Sequence, residues 1–321
     1  MRTLARVAAI PLLAVLAAAC GNTDDSRDVE TRVFTHSQGD TEVPMDPQRI
    51  VATTDQNALL PLLELGITPV GSAGAEMEGG EFRFRRTDGY DTSTVEPVGA
   101  YGSPSIEKIA ALDPDLIVGY EYDDELYESL SGVAPTVLVQ IFDRPLDEAL
   151  LEFADLVGRT DKAEELQADF RGRVDSFLER LGDRKDSLSI SLIHQGDPGV
   201  FYRVDTGQAT GTVMQALDLL RPEPQQGTGD FDGFSVETLG LHDADVVLVF
   251  DFSADEGTRQ QNELFTSPVF AELAATKAGQ SYLIDGGTTV GAAWGKMTAF
   301  LDELERILLA DDLRADVVIE E

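Results

Sequence analysis

An internal repeat constrains the fold of this chain more than any other feature of its sequence. The segment SIEKIAALDPDLIV (105–118) aligns without a gap with SVETLGLHDADVVL (235–248). A serine, a glutamate and two aspartates coincide, and the aliphatic residues around them coincide as well. Each copy predicts a short helix, a turn that carries the aspartates, and a buried strand. Repetition of this unit indicates two similar α/β halves, each of them one lobe.

Short apolar segments alternate with helical segments through both halves. In the first half we predict strands at 49–53, 68–72, 115–120 and 135–140, and helices at 57–65, 105–112 and 124–130. In the second half we predict strands at 188–194, 244–252 and 281–285, and helices at 211–220, 235–239, 268–275 and 296–309. Such alternation with short connections predicts mainly parallel sheets covered by helices.

A long helix is predicted between the two halves. Its apolar residues recur every three or four positions, at Ala163, Leu166, Phe170, Val174, Phe177 and Leu181. Thr160 and Asp161 are candidate N-caps, and Gly182 is the expected end. With a rise of about 1.5 Å per residue, such a helix spans roughly 33 Å and can cross from one lobe to the other. A packing helix within one domain is the alternative.

The predicted fold class is therefore α/β, with two lobes of mainly parallel sheet covered by helices and joined by one long rigid helix. The corresponding boundaries are an N-terminal lobe at 32–159, a linking helix at 160–182 and a C-terminal lobe at 183–321.

The N-terminus indicates export. Arg2 and Arg6 precede an apolar run that ends at Ala19, which is typical of a secretory signal peptide at 1–19. The run is too short to span a bilayer, which needs about 20 residues. Three alanines followed by Cys20 resemble a bacterial lipobox, which implies that Cys20 is lipidated and that 20–31 form a tether outside the cell membrane. An ordinary signal peptide that contains a cysteine is the alternative.

Charge and composition exclude several classes of function. The net charge of −35 argues against binding of nucleic acid and against electrostatic attraction to anionic lipid, so the lipid anchor is the only membrane contact that we expect. The three scattered histidines argue against a bare metal site, and His242 is expected to be exposed in its turn. No G-x-S-x-G, P-loop or H-E-x-x-H motif is present, so we expect neither an enzyme nor a cofactor. A metal chelatase that uses His194, and a surface adhesin, are alternatives.

The two serine-x-glutamate helix starts on either side of a long helix resemble the iron-siderophore and cobalamin-type solute-binding proteins of ABC importers. The similar segments are 46–71, 102–119 and 234–250. The resemblance implies a monomer that holds a ferric siderophore between its lobes and delivers it to a permease dimer, on whose arginines Glu107 and Glu237 dock. Haem or cobalamin is the alternative ligand. From the residues alone, either glutamate is explained by about 0.3–1 kcal/mol of helix-dipole stabilisation.

Aromatic and arginine side chains are the candidate ligand contacts. A siderophore already saturates its iron, so the protein must supply apolar surfaces and charge-assisted donors rather than metal ligands. Several candidates flank strand ends, where open α/β sheets bind ligands. For each candidate, a packing or solvated role is the alternative. The candidates are Arg83, Arg85, Arg86, Tyr101, Tyr120, Arg203 and Trp294.

Overall fold

The computed structural model describes residues 30–77, 80–142, 144–195, 200–203, 208–226, 233–252 and 263–315. Cys20 and nearly all of the predicted tether lie outside these ranges. Within them, no helix is both long and apolar enough to cross a membrane. The strands form one sheet in each half of the chain and a separate hairpin at its start.

The N-terminal half contains a mainly parallel sheet in the strand order β7-β6-β4-β3-β8-β9. The pairs that β3 makes with β4 and β8 are parallel, whereas β5 and β7 pair antiparallel with β4 and β6. The strands are β1 (Thr31–His36) and β2 (Gly39–Pro44) of the hairpin, then β3 (Ile50–Ala52), β4 (Gly71–Glu76), β5 (Phe82–Arg83), β6 (Glu96–Ala100), β7 (Ser103–Pro104), β8 (Leu116–Tyr120) and β9 (Thr136–Val139). The helices are α1 (Leu60–Glu64), α2 (Ile106–Ala111), α3 (Tyr127–Ser131) and α4 (Leu146–Leu156).

The C-terminal half contains a mixed sheet in the strand order β12-β11-β10-β13-β14. Its central pairs are parallel, and β11 runs antiparallel to both of its neighbours. The strands are β10 (Ile190–Gln195), β11 (Val200–Arg203), β12 (Gly233–Ser235), β13 (Val246–Asp251) and β14 (Ser281–Asp285). The helices are α6 (Ala209–Leu217), α7 (Glu263–Thr266), α8 (Pro268–Glu272), α9 (Ala274–Ala278), α10 (Gly286–Thr289) and α11 (Trp294–Leu308).

The linking helix α5 (Thr160–Leu181) is 22 residues long and contacts α4 from the first half and both α6 and α11 from the second. Five of its six predicted apolar positions are buried, and Leu166 is partly buried. The helix ends at Gly182, whose φ of 56° favours glycine. The N-cap is Arg159, so the prediction of Thr160 or Asp161 is wrong by one or two residues. The predicted fold class is confirmed; the exact lobe boundaries stay predictions.

The two copies of the repeat end in buried strands, as predicted, because β8 and β13 carry continuous aliphatic runs that are covered on both faces. The expectation that His242 is exposed is wrong. Its side chain is 5% exposed and stacks on Phe234 with ring centroids 3.7 Å apart. Gln225 contacts the same imidazole at 3.3 Å, so this histidine belongs to the packing of the second lobe.

Candidate functional site

Two consecutive arginines follow β5, and the first of them is neutralised within its own half. The Arg85 Nε and Nη2 atoms donate to the two carboxylate oxygens of Asp55 at 2.9 and 2.8 Å. Asp55 follows β3, is fully buried, and also accepts the backbone N–H of Arg85 at 2.8 Å. The Arg85 guanidinium lies 4.2 Å from the centroid of the Tyr101 ring. This bidentate pair is therefore held rigidly against one exposed aromatic ring.

Arg86 points into the second half of the chain. Its φ of 62° places it in the left-handed region, which costs an ordinary residue about 1–2 kcal/mol. The Arg86 guanidinium lies 4.9 Å from the centroid of the ring of Phe252, the residue that directly follows β13. Burial, and then the neighbouring charge of Arg85, lower the pKa of Arg86 to about 10. A strained backbone thus brings a cation from one lobe to an aromatic ring of the other.

An aromatic wall lines this junction on the side of the second lobe. The Phe252 and His194 rings meet edge to face, with centroids 4.9 Å apart, and Tyr202 lies 5.7 Å from His194. A Cβ at Gly286 would lie 2.3 Å from the Phe252 ring, so only glycine permits this approach. Burial, and then the charge of Arg86, lower the pKa of His194, so that its imidazole is neutral at neutral pH.

Lys296, in the first turn of α11, is the second cation at this junction. Its Nζ atom donates to the carbonyl oxygen of Gly287 at 2.9 Å. Burial lowers the pKa of Lys296, and the charge of Arg86 lowers it further. The two cations are therefore close enough to repel each other.

Hydrogen bonds from backbone N–H groups to a carboxylate join the lobes next to this junction of Arg86, Lys296, Phe252 and His194, which we call the cleft. The Glu64 carboxylate, at the end of α1, accepts the N–H groups of Trp294 and Gly295 at 2.8 and 2.6 Å. These N–H groups belong to the first turn of α11, which has no intrahelical acceptor for them. Burial raises the pKa of Glu64 despite these two bonds. A side chain of the first half thus caps a helix of the second half.

Three other predicted ligand contacts each lie at the end of a strand. Arg83 is half-exposed and pairs with Glu81 at 3.0 Å. Tyr120 lies at the end of β8, as expected, and its ring packs 6.0 Å from Phe142. Arg203 ends β11, and its side chain lies outside the described residues.

The prediction that Trp294 contacts the ligand is contradicted by its burial. Its side chain is 1% exposed and packs in the main core, and its backbone N–H donates to Glu64. Sequence reasoning also missed three members of the cleft, namely Asp55, Phe252 and Lys296. The repeat could have revealed Phe252, since it aligns with Tyr122, the second residue after the matching strand β8.

The two predicted docking glutamates have the same environment in both lobes. Glu107 and Glu237 are both exposed. The Ser105 hydroxyl donates to Glu107 at 3.1 Å, and this bond, after the residue's own backbone N–H, lowers the pKa of Glu107. The hydroxyl of Ser235, and then the backbone N–H of Glu237, lower the pKa of Glu237. Each lobe therefore presents one oriented carboxylate that stays ionised at neutral pH. Among the described residues, no cluster of three or more acidic, histidine or cysteine side chains could hold a metal ion.

Curated relatives are similar over nearly the whole chain. The probable siderophore-binding lipoprotein YfiY of Bacillus subtilis is 30% identical over 318 residues, which cover 93% of this chain and 96% of the relative. The iron(3+)-hydroxamate-binding protein FhuD of Bacillus subtilis is 27% identical over 293 residues, which cover 86% and 88%.

Solved structures share the fold. Staphylococcus aureus SirA, complexed with staphyloferrin B, matches with a TM-score of 0.73 and 23% identity over 88% of this chain and 100% of that chain. Bacillus subtilis FeuA, complexed with ferri-bacillibactin, matches with a TM-score of 0.71 and 21% identity over the same shares. The family profile described as periplasmic binding protein matches residues 52–288. The chain therefore belongs to the periplasmic binding protein family, as the resemblance of its repeat and long helix implied.

Proposed function

We propose that this protein is an extracytoplasmic, lipid-anchored binding protein that captures a ferric siderophore and delivers it to an ABC importer. The observation that carries the proposal is the cleft at which Arg86 of one lobe meets Phe252 of the other. Relatives named for siderophore or ferric-hydroxamate binding support this ligand over haem or cobalamin. The protein binds and releases its ligand without turnover and needs no cofactor of its own.

The cleft suits a ligand that brings its own metal coordination. Tyr101 and Phe252 offer partly exposed aromatic faces, one from each lobe. Arg86 and Lys296 offer donors for ligand oxygens, and Arg85 holds the ring of Tyr101 in place. A siderophore saturates iron with its own oxygens, so the protein needs no metal ligands there. Arg83, Tyr120 and Arg203 stay predicted contacts.

Ligand binding tests this proposal directly. The purified protein is titrated with ferric siderophores of several chelating classes, with haem and with cobalamin, and the heat of binding is measured by calorimetry. We expect saturable submicromolar binding of one ferric siderophore class. Tighter binding of haem or cobalamin would reassign the ligand and leave the delivery role in place.

Glu107 and Glu237 are proposed to dock on arginines of a permease dimer, because matched charges on the two lobes fit a symmetric partner. Exchange of both for glutamine should abolish siderophore uptake by cells and leave the affinity for the ligand unchanged. The matched control exchanges two other exposed glutamates, Glu128 and Glu179, for glutamine and should leave uptake intact. Loss of ligand affinity in the docking variant would contradict the assignment.

The membrane anchor is proposed at Cys20, the only cysteine. Exchange of Cys20 for alanine should release the protein from the membrane fraction and abolish incorporation of labelled fatty acid. The control exchanges Ser26 for alanine, a change in the proposed tether that should alter neither property. Continued acylation of the Cys20 variant would contradict the anchor.

A further inference from the structure

Two cations in the cleft have no acidic partner among the described residues. The chain carries a net charge of −35, and basic side chains such as Arg32, Arg144 and Arg173 make ion pairs within 4.0 Å. Arg86 instead contacts the face of Phe252, and Lys296 donates to a backbone carbonyl. Asp88, Asp285 and Glu64 attract Lys296, but only from beyond ion-pairing distance. The cleft thus holds two cations that form no ion pair with a described carboxylate, although the protein as a whole is strongly acidic.

The adjacent residue Arg85 has the acidic partner that Arg86 lacks within the described part of the chain. Both carboxylate oxygens of Asp55 accept hydrogen bonds from Arg85. That pair is neutral as a unit, and Arg86 adds a positive charge that Asp55 attracts only from beyond ion-pairing distance. The left-handed backbone at Arg86 turns its side chain away from Asp55 and towards the second lobe. Strain of this kind persists where the surrounding structure requires it, and it is concentrated at functional sites.

The arrangement costs stability in the empty protein. Partly buried cations lose hydration, and Arg86 and Lys296 also repel each other. The two rings of the aromatic wall add no negative charge, because Phe252 is apolar and the imidazole of His194 is neutral at neutral pH. A negatively charged group between the two cations would relieve both costs at once.

We infer that the cleft selects ferric chelates of net negative charge, with Arg86 and Lys296 as the residues that determine this specificity. The inference rests on the proposed function and narrows it to one charge class. Ferric tris-catecholates and ferric hydroxycarboxylates are anionic, whereas a ferric tris-hydroxamate is neutral and one with a free amine is cationic. The planar fork of Arg86 can donate two parallel hydrogen bonds to neighbouring ligand oxygens, and Lys296 adds a point charge.

A charge-graded panel of probes tests the inference on the intact protein. The probes are ferric enterobactin and ferric citrate as anionic chelates, ferrichrome as the neutral one, and ferrioxamine B as the cationic one. We expect an anionic chelate to bind at least about 100-fold tighter than ferrichrome, which corresponds to about 2.8 kcal/mol. Preference for the catecholate or for the carboxylate would identify which oxygens the cations contact, and either supports the inference.

The same panel separates failure of the inference from failure of the proposed function. Submicromolar binding of ferrichrome or ferrioxamine B, with weaker binding of both anionic chelates, would overturn the charge selection and leave siderophore capture standing. Absence of binding by every ferric chelate would overturn the proposed function and the inference with it.

Substitutions of the two cations test whether they cause the selection of anionic chelates. We expect Arg86→Gln and Lys296→Gln each to weaken binding of the preferred anionic chelate about 10–100-fold and to reduce its salt dependence. The matched control is Arg306→Gln, which removes a surface arginine of α11 that pairs with Glu303. Arg86→Lys keeps the charge without the fork and should retain part of the affinity, which tests the assignment even if Arg86→Gln folds poorly. Wild-type affinity in both glutamine variants would overturn the inference.

Discussion

The two copies of the repeat share their pattern but differ in the helix that it forms. In the first copy, the backbone N–H of Ile109 donates to the carbonyl of Ser105 at 3.0 Å, which closes an α-helical turn in α2. In the second copy, the Thr238 hydroxyl donates to the carbonyl of Ser235 at 3.0 Å, and Val236–His242 form the tighter turns of a 3-10 helix. A local hydroxyl thus competes for the carbonyl that an α-helix would use. The pattern places the element, and single side chains decide its geometry.

The last aspartate of each copy has the same role in both lobes. Asp115 accepts the backbone N–H groups of Gln48 and Arg49, just before β3, at 2.7 and 2.9 Å. Asp245 accepts the backbone N–H of Ser189, just before β10, at 2.8 Å. Each carboxylate therefore ties the repeat's own strand to the start of its parallel neighbour. The equivalent bonds explain why both copies carry an aspartate there.

Removal of these aspartates should give the largest effect on stability. Asp115→Ala and Asp245→Ala should each lower the free energy of unfolding by about 1–3 kcal/mol, because backbone donors are left without an acceptor. The measurement is urea denaturation followed by circular dichroism. Glu125→Ala, which removes an exposed carboxylate, is the control and should stay within about 0.5 kcal/mol of the wild type.

Asparagine at position 115 should reproduce the loss caused by alanine. The N–H groups of Gln48 and Arg49 bond to different oxygens of Asp115, so Asp115→Asn turns an amide donor against one of them. We expect Asp115→Asn to cost about as much as Asp115→Ala in the same urea denaturation experiment. Wild-type stability of Asp115→Asn would show that one of the two bonds contributes nothing.

Strand positions were predictable because buried parallel strands carry continuous apolar runs. The predicted strand at 115–120 is observed as Leu116–Tyr120, and that at 244–252 as Val246–Asp251. The helix type in the second copy was not predictable from the aliphatic pattern, because that pattern is the same in both copies, whereas local contacts such as the Thr238 hydroxyl bond differ. The N-cap of α5 was displaced for a similar local reason, since Arg159 has a non-helical φ of −126°.

The candidate site was predictable in composition but not in arrangement. The arginine cluster and Tyr101 were found from sequence, yet the different roles of Arg85 and Arg86 depend on Asp55, which lies 30 residues earlier than Arg85. The burial of Trp294 was not predictable either, because this part of the chain packs against residues as distant as Glu64, 230 residues earlier. Contacts of this range leave no periodic signal in a single sequence.

A glycine-to-alanine exchange should make the second copy of the repeat more like the first at one aligned position. Gly240 aligns with Ala110, its φ lies outside the left-handed region, and an added Cβ would meet no atom within 4 Å. Gly240→Ala should raise the free energy of unfolding by about 0.4–1 kcal/mol, because it restricts the unfolded chain. The reciprocal Ala110→Gly should lower it by about 0.5–1 kcal/mol. Both are measured by urea denaturation, and a loss of stability in Gly240→Ala would show that the tight turn needs its glycine.

The smallest expected effect concerns the charge of the docking glutamates. The Ser235 hydroxyl is the first cause of the lowered pKa of Glu237, whereas for Glu107 the residue's own backbone N–H comes before the Ser105 hydroxyl. Ser235→Ala should therefore raise the pKa of Glu237 more than Ser105→Ala raises that of Glu107, as measured by carboxyl-carbon NMR titration. A lowered carboxyl pKa stabilises the fold above its unfolded value and loses that effect as pH falls through the folded value. Both serine variants should reduce this slight pH dependence without abolishing it, because the backbone N–H of each glutamate still lowers its pKa. Equal pKa rises at both glutamates would show that the two helix starts orient their carboxylates in the same way, despite the different helices that follow.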